Sequence, residues 1–217
     1  MQLPHLKNGF LAFTLVAIAS FSNVVLASCS PTSSQSQAPN HHSGMNHNTT
    51  MDLGPADANY DLRFIDAMIP HHQGAVVMAK EAQQKSQRPE IKQLAEEIIK
   101  AQNQEISQMQ QWRTAWYPKA GDQPMAYNAH HGQMVEMSSA QMQAMMMNMD
   151  LGAADQEFDL RFIKAMIPHH EAAVTMAKDV VKKSQRAEIK NLAQTIIKAQ
   201  DAEINQMQQW GTAWYNK

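Results

Sequence analysis

Two short stretches of the chain repeat one pattern, Met-Ile-Pro-His-His, at residues 68–72 and again at residues 166–170. In a helix the methionine would share a face with both following histidines, which lie three and four positions further on. Thioether sulfur with imidazole nitrogen suits Cu(I), and by the same softness Ag(I), but suits Zn²⁺, Mg²⁺ and Ca²⁺ poorly. The candidate ligands of the two motifs are Met68, His71, His72, Met78, Met166, His169, His170 and Met176.

Histidine and methionine also cluster outside the motifs, in a leader before the first motif and in a connector between the two. In the connector, four methionines spaced i, i+3, i+4, i+7 predict one face of a helix over about Ser139–Met149. These clusters predict either further soft-metal ligands or, in the connector, an apolar face that packs on the remaining helices. The candidates are His41, His42, Met45, His47, Met51, His130, His131, Met134, Met137, Met142, Met145, Met146 and Met149.

Other interpretations of these residues stay open at the level of sequence. Methionine fills irregular gaps in helical cores, so the motif methionines could be core residues only. Gln102 with Glu105, and Gln200 with Glu203, interrupt apolar stripes at about the level of the histidine pairs. Each carboxylate could orient a ligating imidazole, or could form a salt bridge or hydrogen bond at the core edge.

The elements that position the motifs come from an internal duplication. A shift of 98 residues aligns 51–117 with 149–215 without a gap, and 47 of the 67 aligned positions are identical. Each repeat contains two segments with helical apolar periodicity, and no strand pattern is evident. Two hairpins that each have one apolar face predict an all-α four-helix bundle, with the Met-rich connector helix added to it.

Local signals predict where these helices begin and bend. Asp57 and Asp155 are suitable N-caps for the first helix of each repeat, and Pro89 is a favourable first-turn residue for the second helix of repeat one. Pro70 and Pro168 fall inside the helical pattern, where proline removes a backbone donor. Each first helix should therefore kink or restart just before its histidine pair.

Composition narrows the classes of function. The chain has 217 residues, a formal net charge of −2 and no basic block, so nucleic acid is not an expected partner. Lys7 precedes an apolar run that ends in "LASC", which is typical of an export signal and resembles a bacterial lipobox at Cys29. Ordinary cleavage after Ala27 is the alternative. Cys29 is the only cysteine, so an intrachain disulfide is excluded.

The predicted organisation follows from these features. Residues 1–28 are a signal peptide, 29–50 a flexible tether with His and Met, 51–117 hairpin repeat 1, 118–148 the connector and 149–217 hairpin repeat 2. We expect a periplasmic or extracellular monomer that touches a membrane only through a lipid at Cys29.

The quoted motifs, "FIDAMIPHHQGAVVMAK" and "FIKAMIPHHEAAVTMAK", resemble an exported bacterial domain family long described only as of unknown function. The duplicated form is similar to its cyanobacterial periplasmic copper-binding members. The resemblance covers about residues 51–217 and implies a ferritin-like helical bundle, copper binding and copper resistance. It places the motif ligands at Met68, His71, His72, Met166, His169 and His170.

The sequence thus predicts a non-enzymatic protein that sequesters Cu(I) or delivers it, for example to a copper efflux or sensor protein. One alternative is a metal-dependent oxidoreductase, either a cuprous oxidase or a di-iron bundle. The di-iron form needs Glu-x-x-His pairs, and the motifs lack that spacing. A purely structural helical module is the other alternative.

Overall fold

The computed structural model describes residues 52–216, which form a helical bundle with one small antiparallel hairpin. The predicted all-α class is confirmed. The predicted signal peptide, Cys29, the predicted tether and the leader candidates lie outside the described residues; these candidates are His41, His42, Met45, His47 and Met51. The elements are α1 (Tyr60–Lys85), α2 (Pro89–Trp116), β1 (Met125–Asn128), β2 (Gln133–Glu136), α3 (Ser139–Met146), α4 (Phe158–Lys183) and α5 (Ala187–Tyr215).

The helix starts agree with the sequence in part. Pro89 is the first residue of α2, as predicted. The predicted N-cap at Asp57 is wrong, because α1 begins three residues later, at Tyr60. The Asp57 carboxylate instead accepts the Asn59 N–H at 2.9 Å, and its carbonyl accepts the Tyr60 N–H at 3.1 Å. These contacts make a separate turn before the helix, and Asp155 does the same before α4.

Neither first helix restarts at its proline. Helix α1 runs unbroken through Pro70, and α4 runs unbroken through Pro168. Proline removes one helical hydrogen bond, but the apolar residues on both sides are buried in the core. Tertiary packing therefore holds the helix on both sides of the proline.

The two hairpins pack against each other through their first helices. Helix α1 packs on α2, α4 packs on α5, and α1 and α4 pack on each other. The core consists of two apolar clusters, and each contains residues of both repeats. The first combines the start of α1 with the end of α4, and includes Phe64, Met68, Met176 and Val180. The second combines the end of α1 with the start of α4, and includes Met78, Ala82, Phe162 and Met166.

Arginine residues tie each hairpin to the other at its turn. The Arg88 guanidinium lies 4.2 Å from the Trp214 ring centre and 3.5 Å from Asp159. Its counterpart in repeat two, Arg186, makes the same pair of contacts with Trp116 and Asp61, at 4.3 Å and 3.6 Å.

The connector contains the hairpin that the sequence did not predict. Strands β1 and β2 pair antiparallel, with Met125 opposite Glu136 and Asn128 opposite Gln133. The buried Asp66 carboxylate accepts the Met125 N–H at 2.8 Å and an Arg113 N–H at 2.6 Å. Burial raises the pKa of Asp66, against the lowering effect of Arg113. Four-residue strands show too little alternation for a sequence signal, and α1 supplies the contacts that hold them.

The connector docks where the two repeats differ in sequence. Asp66 and Arg113 of repeat one correspond to Lys164 and Gly211 of repeat two, and Gly74 corresponds to Ala172. Helix α3 packs on α1, and Gly74 lies against the Met146 carbonyl. These three sequence differences between the repeats explain why the connector packs on repeat one.

Among the described helices, none combines the length and the hydrophobicity that crossing a bilayer requires.

Candidate metal centre

The four motif histidines lie between the two apolar clusters. On α1 the first cluster ends at Met68 and the second begins at Ala75, and the same gap on α4 separates Met166 from Ala173. Each gap contains one Pro-His-His, so the crossing of α1 and α4 brings both pairs to the centre of the bundle. All four are buried: His71, His72, His169 and His170 are each at most 1% exposed.

His71 and His169 stack on each other. Their ring centres are 3.9 Å apart and their planes differ by 17°. His71 Nδ1 lies 2.8 Å from the Met145 carbonyl oxygen, and His71 Nε2 lies 3.0 Å from the carbonyl oxygen of His169. His169 Nε2 lies 3.1 Å from the Met146 carbonyl oxygen. The stacked pair is therefore enclosed by backbone oxygens, two of which belong to the end of α3.

The electrostatics of this pair favour neutral rings. The pKa of His71 is lowered to about 4, chiefly by burial and also by the neighbouring His72, against a contact with the Met145 carbonyl that raises it. Burial also holds the pKa of His169 well below its usual range, and repulsion from His71 adds to this effect. A neutral imidazole has one N–H and one lone pair, so a ring whose N–H faces an oxygen acceptor keeps a lone pair on its other nitrogen.

The second histidine of each pair contacts a glutamate of its own hairpin. His170 Nε2 forms a 2.6 Å hydrogen bond with Glu203 Oε2. His72 Nε2 lies 2.8 Å from Glu105 Oε2, at ion-pair distance but without hydrogen-bond geometry. These are the two carboxylates that the stripe pattern indicated.

These contacts leave specific nitrogen atoms free. The Nδ1 atoms of His72, His169 and His170 are buried and meet no hydrogen-bond partner within residues 52–216. Metal-binding histidines commonly donate their second N–H to a carboxylate or a carbonyl, which fixes the tautomer. An imidazole with Nε2 facing an oxygen acceptor and Nδ1 free has the arrangement that a ligand requires.

The motif methionines lie inside the apolar clusters. Met68 and Met176 belong to the first cluster, whereas Met78 and Met166 belong to the second, all at most 1% exposed. Methionine residues thus belong to the apolar clusters on both sides of the histidines. The same clusters contain Met109 and Met207, which the ligand prediction omitted. The sequence contained a signal for them, because the repeat aligns Met109 with Met207 in the second helix of each hairpin.

Of the connector candidates, Met145 and Met146 reach the histidines through their backbone carbonyls, and the rest do not gather there. His130 and His131 are exposed in the turn between β1 and β2, and Met134 is half-buried in β2. The predicted four-methionine helical face is wrong at its end, because α3 ends at Met146 and Met149 is 59% exposed beyond it.

Two cavities bring some of the connector methionines together. One, of about 280 Å³, is lined by Met137, Met145 and His130, with Met125, which the sequence did not single out. The other, of about 340 Å³, is lined by Met137 with Met142 and Met146.

Within residues 52–216, no three side chains of the His, Cys, Asp and Glu types converge into a ready metal site. A site made of oxygen, imidazole or thiolate ligands alone is therefore not preformed there. Methionine sulfur is the remaining donor type, and it lies close in sequence to each histidine pair.

The fold and this centre define a class: duplicated helical-hairpin bundles with a buried histidine cluster between methionine-containing cores. A profile of the family described as "Domain of unknown function (DUF305)" matches residues 22–113 and 61–211. The chain belongs to this family.

Solved structures agree with this assignment. The chain is 41% identical to CopM in its Cu(II)-bound form, with a TM-score of 0.58, over 71% of this chain and 97% of that one. For the Cu(I)-bound form the values are 39% and 0.55, with the same coverage. A DUF305 fragment from Deinococcus radiodurans is 26% identical, with a TM-score of 0.52, over 71% of this chain and 95% of that one.

A curated relative, the uncharacterized protein L153 of Acanthamoeba polyphaga mimivirus, is 45% identical over 49 residues. That match covers 23% of this chain and spans about a third of the relative's length, 32%.

Proposed function

We propose that this protein binds copper at the buried histidine cluster, sequesters or delivers Cu(I) outside the cytoplasm, and so contributes to copper resistance. The observation that carries the proposal is the set of buried, unpartnered Nδ1 atoms of His72, His169 and His170. A buried polar atom without a partner is costly, and a bound cation would remove that cost.

The chemistry of the surroundings favours copper among the biological metals. Methionines belong to the apolar clusters on both sides of the histidines, and carboxylates lie behind two of the imidazoles. Imidazole with thioether selects a soft cation, and carboxylates behind the imidazoles fix their orientation. The proposal is supported by the similarity to structures of CopM with Cu(I), Cu(II) and silver bound.

A binding role fits better than catalysis. The relatives' names record no enzymatic activity. The free nitrogens are enclosed in the bundle, so a substrate larger than an ion has no place beside them. We propose a non-enzymatic monomer outside the cytoplasm, with copper ions as its ligand and an efflux or sensor protein as recipient in a delivery role.

Titration of the full mature chain with Cu(I) against a competing chelator tests the proposal. The variant His71→Ala/His72→Ala should lose the tightest equivalents. The matched control is His130→Ala/His131→Ala, since that pair is also adjacent but is exposed in a turn. Tight binding that survives the motif substitution, or disappears only in the control, would place the copper elsewhere.

A further inference from the structure

The carboxyl end of α3 closes one side of the histidine cluster. The carbonyl oxygens of Met145 and Met146 lie 2.8 Å from His71 Nδ1 and 3.1 Å from His169 Nε2. The last carbonyls of a helix have no partner within their own helix, and here imidazole rings face two of them. The Met-rich helix is thus held against the site through its backbone.

A metal ion cannot bind His71 while α3 stays in this position. A metal–imidazole bond is about 2.0–2.1 Å long for zinc, and a metal–oxygen bond is about as long. The 2.8 Å between His71 Nδ1 and the Met145 oxygen leaves no room for an ion. His71 Nε2 faces the His169 carbonyl at 3.0 Å, inside the continuous helix α4. Of these two obstacles, the end of α3 is the one that can move without breaking the bundle.

We propose that α3 is a displaceable plug on the metal centre: a soft cation that binds at His71 and His169 drives the end of α3 off the cluster. This rests on the proposed copper binding and adds a conformational response to it. The displacement uncovers the thioether of Met145, which is 4% exposed while α3 is seated. Binding of the cation at the histidines would then make the connector methionines available as ligands to the same ion or to a second ion.

The packing of α3 on α1 depends on one glycine. A Cβ at Gly74 would lie 1.8 Å from the Met146 carbonyl oxygen and 2.7 Å from its carbon, which no backbone tolerates. The aligned residue of repeat two is Ala172. Glycine in a helix interior costs stability relative to alanine, so Gly74 is unfavourable for α1 alone and is explained by the approach of α3.

The attachment of α3 is weak enough to be reversed. The helix has eight residues, and Met145 is its one fully buried side chain. It ends at Met147, a residue other than glycine in the left-handed conformation, with φ of 46°. Both ring nitrogens of His71 face carbonyl oxygens, but a neutral imidazole has only one N–H to donate. In the other contact the nitrogen lone pair therefore faces an oxygen lone pair, which is unfavourable.

Hydrogen exchange with mass spectrometry on the full mature chain tests the plug, with Ag(I) as the probe ion. In the metal-free protein the amides of α3 should be protected, and Ag(I) should raise their exchange while α1 and α4 stay protected. Gly74→Ala should raise α3 exchange without metal by at least about tenfold, the factor that about 1.4 kcal/mol gives. Ag(I) should add little further change in this variant and should bind more tightly, because the displacement has already occurred.

Two variants control for other effects. Gln73→Ala changes the exposed neighbour of Gly74 and should leave α3 exchange unchanged. If Gly74→Ala fails to fold, Ser138→Ala replaces it, since it removes the capping box of α3 and leaves the histidines untouched.

The outcomes separate this proposal from the copper-binding proposal. Ag(I) binding with unchanged α3 exchange in the natural sequence overturns the plug alone. Ag(I) binding that is weaker in Gly74→Ala also overturns it, because a seated α3 would then be part of the site. The absence of any Ag(I) or Cu(I) binding overturns both.

Discussion

The imidazoles of His71 and His169 stack at 3.9 Å although they come from equivalent positions of two different repeats. Neither hairpin can form this contact alone, because each apolar cluster also requires residues of both repeats. The two motifs are therefore parts of one centre at the crossing of α1 and α4. The duplication thus places this histidine cluster between the copies, and a single copy could form it only by pairing with a second chain.

The first prediction concerns metal choice. The mature chain should bind more than one Cu(I), Ag(I) should compete for the same sites, and Zn²⁺ should bind more weakly. The reason is that thioethers contribute little to zinc affinity and much to Cu(I) affinity. Competition dialysis with elemental analysis measures this order. Zinc retained as tightly as Cu(I) would show that the methionines are core residues without a ligand role.

The second prediction concerns folding without metal. The apolar clusters are complete without an ion, so the chelated protein should show full helical circular dichroism. Added Cu(I) should raise its melting temperature, because it binds the folded state preferentially. A chelated sample without helical signal would make copper a structural requirement of this fold.

The third prediction follows from the lowered pKa of His71. Its folded-state pKa is about 4, below the unfolded value of 6.5, so the folded state binds fewer protons between these values. Its contribution to stability is present above pH 6.5 and is lost as the pH falls towards 4. The loss from this group is on the order of 3 kcal/mol at about 1.4 kcal/mol per unit.

Urea unfolding of metal-free protein at pH 7 and at pH 5 samples about 2 kcal/mol of this loss, because pH 5 lies 1.5 units below the unfolded pKa of 6.5. The variant His71→Ala should show a smaller difference between the two pH values, even if it is less stable at pH 7. An equal pH dependence in both proteins would assign the acid sensitivity to other groups.

The fourth prediction concerns the carboxylates behind the imidazoles. Glu105→Gln and Glu203→Gln should each lower Cu(I) affinity about 10–100-fold, the usual effect of losing a group that orients a ligand. Glu96→Gln, on the exposed face of the same helix α2, is the matched control. Chelator competition gives the affinities. If the substitutions reduce thermal stability but not affinity, the glutamates serve only as core-edge salt bridges.

The sequence predicted most of the residues that surround the histidine cluster, although their role as metal ligands stays a prediction. Helical periodicity and the 98-residue repeat indicated the hairpins, and the interrupted stripes identified Glu105 and Glu203. Periodicity and duplication indicate which face of each helix is buried, so they predicted which residues lie near the histidines. The crossing that stacks His71 on His169 depends on how two apolar faces pack, which no local pattern states.

The connector was predicted less well, for a related reason. Strands β1 and β2 are held by Asp66, and α3 is seated by Gly74, both far away in sequence. The signal that could have found them is the comparison of the repeats with each other. Repeat one has Asp66, Gly74 and Arg113, and all three contact the connector. Repeat two has Lys164, Ala172 and Gly211 at the aligned positions, so it lacks the residues that would hold a connector.

The fifth prediction separates the leader from the motifs. The composition of residues 30–50 predicts a segment that must be ordered when it binds a metal, at an entropic cost. The motif histidines sit on packed helices and avoid that cost. Deleting residues 30–50 and titrating with Cu(I) against a chelator should therefore remove only late, weak equivalents. If instead the tightest equivalents weaken, then His41, His42, Met45 or His47 completes the coordination at the bundle. Repeating the deletion in His71→Ala/His72→Ala resolves the two cases, because independent leader sites would still give weak equivalents that the deletion removes.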